Sequence, residues 1–96
     1  MTEKQVQRDV VKLYRKVGCE VVIFSQPRKT MQTPGIPDLR VYLVRKGLAW
    51  WHETKTPKGK QRLAQGDFQD RAEQCGETYV MGGLEAAIAQ LRKVGV

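Results

Sequence analysis

Two carboxylates and a lysine stand at one end of a predicted β-hairpin. Glu53 and Lys55 are two positions apart, so on a strand their side chains project from the same face. The turn of the hairpin centres near residue 46, which places Asp38 opposite Glu53 or Thr54. The sequence therefore predicts that two acids and one amine converge at this end of the hairpin.

This combination of groups suits a divalent cation that acts on a phosphodiester. Two close carboxylates repel each other unless a proton or a cation lies between them. Mg²⁺ takes oxygen ligands and commonly uses one or two carboxylates together with phosphate oxygens. Lys55 beside such an ion could hold or help to deprotonate a water, or stabilise charge on the phosphate. The alternative is a salt bridge of Glu53 with Lys55 or Arg40, which is common on solvated sheets.

The elements that must position these residues follow from the spacing of apolar residues and from turn signals. Thr2 is the expected N-cap of the first helix, with Gln5 completing a capping box and Gly18 ending the helix. We expect a mixed α/β sheet flanked by helices, in the order α-β-β-β-α-β-α. The predicted helices are Thr2–Val17, Leu63–Cys75, with Phe68, Ala72 and Cys75 on one face, and Leu84–Lys93; the predicted strands are Cys19–Ser25, Leu39–Val44, Leu48–Lys55 and Thr78–Met81; the predicted loops and turns are Gln26–Gly35, Arg45–Gly47 and Thr56–Arg62.

Composition and charge narrow the class of protein. A chain of 96 residues predicts one domain, residues 1–96. The net charge of +7 favours a polyanionic partner such as nucleic acid, the alternative being a soluble protein that is merely basic. The chain has no apolar run long enough to span a membrane, its polar start is not that of a secretory signal, and two cysteines with one histidine are too few for a typical structural zinc site. We expect a reduced, cytoplasmic location in a bacterial or phage-infected cell.

An ordered set of short motifs resembles one nuclease family. Gly35-Ile-Pro-Asp38-Leu39, then a strand, then His52-Glu53-Thr54-Lys55 is similar to the Pro-Asp…(Asp/Glu)-x-Lys signature of the restriction-endonuclease-like superfamily. Within it the chain most resembles the VRR-NUC domain, the virus-type replication-repair nuclease, in its stand-alone phage and bacterial form. The resemblance also includes Glu3 near the start of the first helix, Thr56-Pro57 followed by a basic loop, and Gln65 at the opening of the next helix.

The resemblance implies a role for each matching position. Asp38 and Glu53 would ligate Mg²⁺ or Mn²⁺, the backbone carbonyl of Thr54 would add a ligand, and Lys55 would be the catalytic lysine. Glu3 would approach the site from the first helix, where it could instead be an acid that complements the helix dipole.

Four further positions lie near the expected site. Gln65 would orient Lys55 or the phosphate, and its alternative is an ordinary solvated position in the first turn of a helix. His52 faces away from Glu53 by strand alternation and is expected to be structural. Trp50 and Trp51 depart from the family's usual aliphatic and aromatic strand, and we expect core or subunit contacts of them, with base stacking as the alternative.

Two basic loops would flank the metal site and bind phosphates. Their residues are Arg28 and Lys29 in the first loop and Lys58, Lys60 and Arg62 in the second. Ordinary loop solubility is the alternative.

The function that the resemblance implies is a Mg²⁺- or Mn²⁺-dependent DNA endonuclease. Minimal stand-alone members are similar to Holliday-junction resolvases, so we expect branched DNA as substrate and a homodimer, because cutting a four-way junction symmetrically needs two sites. Two alternatives remain: a non-catalytic nucleic-acid-binding module in which the acids are salt-bridged, and a sequence-reading restriction-like nuclease. The second is disfavoured because little chain remains for elements that read bases.

Overall fold

The computed structural model describes residues 1–24 and 33–96, and the order of elements is the expected α-β-β-β-α-β-α. The helices are α1 (Glu3–Lys16), α2 (Leu63–Gln74) and α3 (Leu84–Lys93), and the strands are β1 (Glu20–Ile23), β2 (Leu39–Leu43), β3 (Leu48–Thr54) and β4 (Thr78–Gly82), with a 3₁₀ turn at Val44–Lys46. The predicted mixed α/β fold class is confirmed. Most of the predicted loop Gln26–Gly35, with Arg28 and Lys29, lies outside the described residues.

The four strands form one sheet in the order β1-β2-β3-β4. The first three strands pair antiparallel, and Leu39 lies opposite His52 in the β2–β3 hairpin. Gly47 adopts the left-handed conformation that closes this hairpin, as a tight turn with a positive φ requires. The pairing of β3 with β4 is parallel, which needs a crossover connection, and α2 is that connection.

Helix α1 begins and packs as its sequence predicts. The Gln5 amide donates to the Thr2 hydroxyl at 3.2 Å, and the Thr2 amide donates to the Gln5 side chain at 2.9 Å, which is a capping box. Val6, Val10 and Tyr14 recur at helical spacing and are buried. Apolar burial along this stripe fixes α1 on the sheet.

The two faces of the sheet carry different residues. Leu39, Val41 and Trp50 belong to the hydrophobic core together with residues of α1 and α3. On the opposite face, the Trp51 ring meets the Phe68 ring of α2 edge to face, with centroids 5.1 Å apart. Strand alternation therefore directs odd-numbered side chains of β3, including Glu53, towards the side that α2 covers.

The predicted apolar face of α2 is wrong at one position. The helix ends at Gln74, and Cys75 is the C-cap and is exposed, whereas Ala72 is buried. Gly76 adopts a positive φ, which is the conformation that ends α-helices, so Cys75 lies at the exposed end of α2 and is not part of its packed face. Within residues 1–24 and 33–96, no helix has the length and apolar character needed to cross a membrane.

Candidate active site

The open end of the hairpin joins Asp38 and Glu53. The Asp38 amide donates to Glu53 Oε1 at 3.2 Å, and the Thr54 amide donates to Asp38 Oδ2 at 3.1 Å. On its other side, the Asp38 carbonyl accepts from the Phe24 amide at 2.7 Å. Each acid is thus held by the backbone of the neighbouring strand, and the expected position of Asp38 opposite Glu53 or Thr54 is confirmed.

Glu3 adds a third carboxylate from α1. One oxygen of each of Glu3, Asp38 and Glu53 lies within 4.8 Å of the others. Glu3 is exposed, Asp38 is half-buried and Glu53 is buried. The first turn of α1 therefore reaches the end of the sheet, where the three acids form one cluster.

Lys55 lies beside the same cluster. Its Nζ is 3.6 Å from Glu53 Oε2, and its backbone amide donates to the Gly82 carbonyl at 3.3 Å, which extends the β3–β4 pairing to this residue. The shared face of Glu53 and Lys55 is as the strand alternation predicts. The ion pair of Glu53 with Lys55, which was the alternative to a metal site, is therefore present. Glu53 also accepts hydrogen bonds from the Asp38 amide and from Gln65.

Gln65 binds Glu53 rather than Lys55. Gln65 Nε2 donates to Glu53 Oε2 at 2.7 Å, and Gln65 Oε1 accepts from the Arg62 amide at 2.9 Å. Both ends of the amide are therefore fixed, one on the first turn of α2 and one on the acid. The expectation that Gln65 lies beside the site is met, while its partner is the carboxylate.

Gly35 allows α2 to approach this closely. Its φ is +76°, and a Cβ at this position would lie 2.1 Å from the Ala64 carbonyl oxygen. Only glycine combines that backbone conformation with such a contact. Pro37, which is fully buried, restricts the backbone just before Asp38. The Gly35-Ile-Pro-Asp38 segment thus fixes Asp38 and the start of α2 relative to each other.

Burial makes the ionised acids costly. Desolvation, with the Asp38 carboxylate as the next cause, raises the pKa of Glu53 to about 7, although Lys55 acts in the opposite direction. Burial also raises the pKa of Asp38, with Glu3 adding to the rise and the Thr54 amide opposing it. One ammonium group therefore does not compensate the acids, and a cation of higher charge would favour their ionised forms.

The residues present fit a hard divalent cation. The donor set consists of carboxylate oxygens, which Mg²⁺ and Mn²⁺ prefer. Glu3, Asp38 and Glu53 line a cavity of about 500 Å³ that Lys55, Lys60 and Arg62 also line. The cavity has room for a phosphate group beside the acids, with basic side chains at its edge.

The basic residues proposed from sequence fall into three groups. Lys60 and Arg62 line the cavity that contains the acids. Lys58 is exposed in the same loop but is not part of the cavity lining. Arg28 and Lys29 belong to the segment outside the described residues.

His52 faces the core, as strand alternation predicts. Its Nε2 lies 2.9 Å from the Gly82 carbonyl, which can only accept, so Nε2 carries the proton. Nδ1 then accepts from the Tyr14 hydroxyl at 2.6 Å, and that hydroxyl accepts from Trp50 Nε1 at 3.3 Å. Burial lowers the pKa of His52 to about 4, so a neutral imidazole connects α1 to the strand ends beneath the acids.

The two tryptophans have different surroundings. Trp50 is 1% exposed and belongs to the core, which meets one of the expectations for the pair. Trp51 stacks under the Arg40 guanidinium, 4.5 Å from the ring centroid, and donates to Glu77 at 3.1 Å. Arg40 also pairs with Glu77 at 3.5 Å, so its salt bridge is with Glu77 and not with Glu53.

Tyr79 is a neighbour of the acids that the sequence did not identify. Burial raises its pKa to about 12, with the Glu53 carboxylate as the next cause. Tyr79 pairs with Trp51 in the parallel register of β3 and β4. Only the register of this long-range pairing places Tyr79 near Glu53, and no local pattern in the sequence encodes it.

Comparison with known proteins bears on the fold. No protein-family sequence model matches the chain, and no curated protein sequence matches it either. A solved structure described as "VRR_NUC domain" is similar to the chain with a TM-score of 0.75 and 24% sequence identity, over 98% of this chain and 97% of that one. The resemblance predicted from the motifs is thus confirmed in three dimensions, and the chain has the fold of a VRR_NUC domain.

Proposed function

We propose that this protein is a deoxyribonuclease that uses Mg²⁺ or Mn²⁺ to hydrolyse phosphodiester bonds. One observation carries the proposal: three carboxylate oxygens lie within 4.8 Å of one another, with Lys55 Nζ 3.6 Å from one of these acids. The fold supports it, since the similar solved structure is a VRR_NUC domain. The Pro-Asp…(Asp/Glu)-x-Lys signature that the sequence resembles also combines two acids with one lysine.

Each side chain of the cluster has a defined task in this proposal. Asp38, Glu53 and Glu3 would hold the ion, with the Thr54 carbonyl as a further ligand. When bound, the ion polarises the phosphodiester and lowers the pKa of a water. The Lys55 ammonium stabilises negative charge that develops on the phosphate. Gln65 keeps one Glu53 oxygen in a fixed direction through its 2.7 Å hydrogen bond.

DNA is held through its backbone in this proposal. Lys60 and Arg62 line the cavity, and Lys58 extends the same loop; Arg28 and Lys29 are proposed to contact phosphates from the other loop. Flexible lysines bind phosphates as point charges and read little sequence. Charge reversal at Lys58 and Lys60 should weaken all DNA substrates alike and flatten the salt dependence of binding, while metal binding is retained.

Branched DNA, such as a four-way junction, is the proposed substrate, and a homodimer is the proposed active form. Each chain supplies one carboxylate cluster among its described residues. A two-fold dimer places two equivalent clusters at a fixed separation, so the geometry of a junction, rather than its sequence, would determine preference. The chain, residues 1–96, is proposed to act as one nuclease domain.

The decisive experiment combines calorimetry with cleavage assays. Mn²⁺ is titrated into the protein, and nicking is followed on junction, flap and duplex DNA with Mg²⁺, Mn²⁺ or EDTA. We expect Mn²⁺ binding and EDTA-sensitive nicking, with the junction preferred. DNA binding without metal binding or nicking would instead favour the non-catalytic module. Large differences between junctions of one shape and scrambled sequence would favour the restriction-like nuclease.

A further inference from the structure

A second basic surface lies on α1, apart from the loop Thr56–Arg62. It consists of four exposed side chains, here called the α1 basic face: Lys4, Arg8, Lys12 and Arg15. They line a groove of about 470 Å³ together with Val11 and Ile23. The groove thus lies between the exposed side of α1 and the end of β1.

These four residues are aligned along the helix. Spacings of four, four and three place them on one side of an α-helix, one turn apart. From Lys4 to Arg15 the helix rises about 16 Å at about 1.5 Å per residue. Each strand of duplex DNA carries one phosphate per about 3.4 Å of its axis, so the α1 basic face matches a stretch of about five base pairs.

The charges of this face are uncompensated. Within residues 1–24 and 33–96, no carboxylate lies within ion-pair distance of Lys4, Arg8 or Lys12. Asp9 lines a different cavity, beside α3, and does not line this groove. Like charges four residues apart on one side of a helix repel each other and destabilise it. The arrangement is unfavourable for the free protein and favourable for a bound polyanion.

The face also starts at the proposed active site. Lys4 follows Glu3, which belongs to the carboxylate cluster, and Arg15 lies at the far end of α1. A DNA arm that places one phosphate at the cluster can therefore continue along the helix.

We propose that the α1 basic face is a second DNA-binding surface, which holds the sugar–phosphate backbone of a duplex arm beyond the cleaved bond. This proposal rests on the proposed function for the identity of the cleaved bond, but the binding surface itself needs neither metal nor cleavage. It extends the DNA contact from the loop Thr56–Arg62 to a rigid helix. The contact is electrostatic and is independent of base sequence.

Two variants of equal charge change test the proposal. K4Q/R8Q/K12Q removes three charges from the face, and K16Q/R92Q/K93Q removes three exposed charges that do not line the groove. Glutamine is a good helix former, so α1 is retained, which circular dichroism and thermal unfolding verify. Binding of a duplex several helical turns long is measured by fluorescence anisotropy in EDTA, over a range of KCl concentrations.

We expect the slope of log affinity against log salt to flatten by about 2 to 3 for K4Q/R8Q/K12Q, since each lost phosphate contact removes about 0.9. The control variant should keep the wild-type slope. Equal flattening in both variants would show an effect of net charge alone and would overturn the proposal, as would an unchanged slope in K4Q/R8Q/K12Q.

Lysine acetylation with mass spectrometry locates the contact directly. Bound duplex should slow acetylation of Lys4 and Lys12 and leave that of Lys93 unchanged; equal protection of all three lysines would overturn the assignment. The outcome is separable from that of the proposed function. If the protein does not cleave DNA with Mn²⁺ but the two variants differ in the slope of log affinity against log salt, the proposed nuclease function fails and the α1 basic face is still a DNA-binding surface. If the protein cleaves DNA but the two variants have the same slope, the proposal for the α1 basic face fails and the nuclease function stands.

Discussion

The backbone amide of Asp38 donates a hydrogen bond to the side chain of Glu53 at 3.2 Å. This single bond joins the residue that precedes β2 to the acid opposite it on β3. It keeps one Glu53 oxygen directed at the β2 side, while the other oxygen accepts from Gln65 and lies 3.6 Å from Lys55. Both oxygens of Glu53 are therefore held in fixed directions.

Replacing either acid by its amide should abolish metal-dependent cleavage while the fold persists. For Asp38→Asn and Glu53→Gln we expect losses of about a thousandfold or more, since a bound ion contributes several kcal/mol to catalysis. Cleavage rates in Mg²⁺ are compared with those of Asp70→Asn, an exposed acid on α2. A variant with nearly wild-type cleavage would remove that residue from the site.

Lys55→Ala should lose cleavage and keep metal and DNA binding. A protonated lysine has no lone pair for a metal, so its contribution should be to the rate, by about 100-fold or more. Because Lys55 opposes the rise in the pKa of Glu53, Mn²⁺ binding is measured by calorimetry above pH 7. Loss of Mn²⁺ binding in a folded Lys55→Ala protein would contradict this division of roles.

Gln65→Ala should weaken metal binding without unfolding the protein. The substitution removes the 2.7 Å hydrogen bond to Glu53 Oε2, and loss of such a supporting contact costs about 10–100-fold in metal affinity or activity. Gln74→Ala, at the exposed end of the same helix, is the matched control. If Gln65→Ala binds Mn²⁺ with wild-type affinity, Gln65 only caps the start of α2 and does not support the metal site.

The stability of the metal-free protein should depend on pH through Glu53. Its pKa is raised from 4.5 to about 7 by folding, so the folded state binds more protons between these values. Stability from this group is complete below pH 4.5 and is lost as the pH rises through 7. We therefore expect Glu53→Gln to melt at a higher temperature than the wild type above pH 7, and the difference to shrink on acidification.

His52 is present in both proteins, so its titration does not affect this difference in melting temperature. Mn²⁺ added above pH 7 should raise the melting temperature of the wild type and leave that of Glu53→Gln nearly unchanged. A difference between the two proteins that stays constant with pH would show that Glu53 does not titrate near 7.

The protein should be a dimer in solution. Several apolar side chains remain exposed, among them Val22 and Tyr42 on the sheet and Leu84 and Ile88 on α3, and burial of such side chains against a second copy would be favourable. Light scattering should give a mass close to twice 10.9 kDa at concentrations where junctions are cut. The mass of a single chain under those conditions would contradict the prediction.

Residues close together in the sequence determined most of the helices and strands, and also the part of the site formed by Asp38, Glu53 and Lys55. The capping box at Thr2, the turn at Gly47 and the alternation along β3 depend on residues close in sequence, so their chemistry alone predicts helix α1, the hairpin and its register. Because the register follows, the approach of Asp38 to Glu53 and the common face of Glu53 and Lys55 also follow. The inward direction of His52 has the same origin.

Long-range packing decided the rest. The parallel pairing of β3 with β4 places Tyr79 near Glu53, and the contact of Gly35 with the Ala64 carbonyl sets the start of α2 so that Gln65 reaches Glu53 rather than Lys55. Such contacts join segments distant along the chain, and their geometry depends on how whole elements pack. The raised pKa of Glu53 likewise results from burial, and burial arises only when the chain folds.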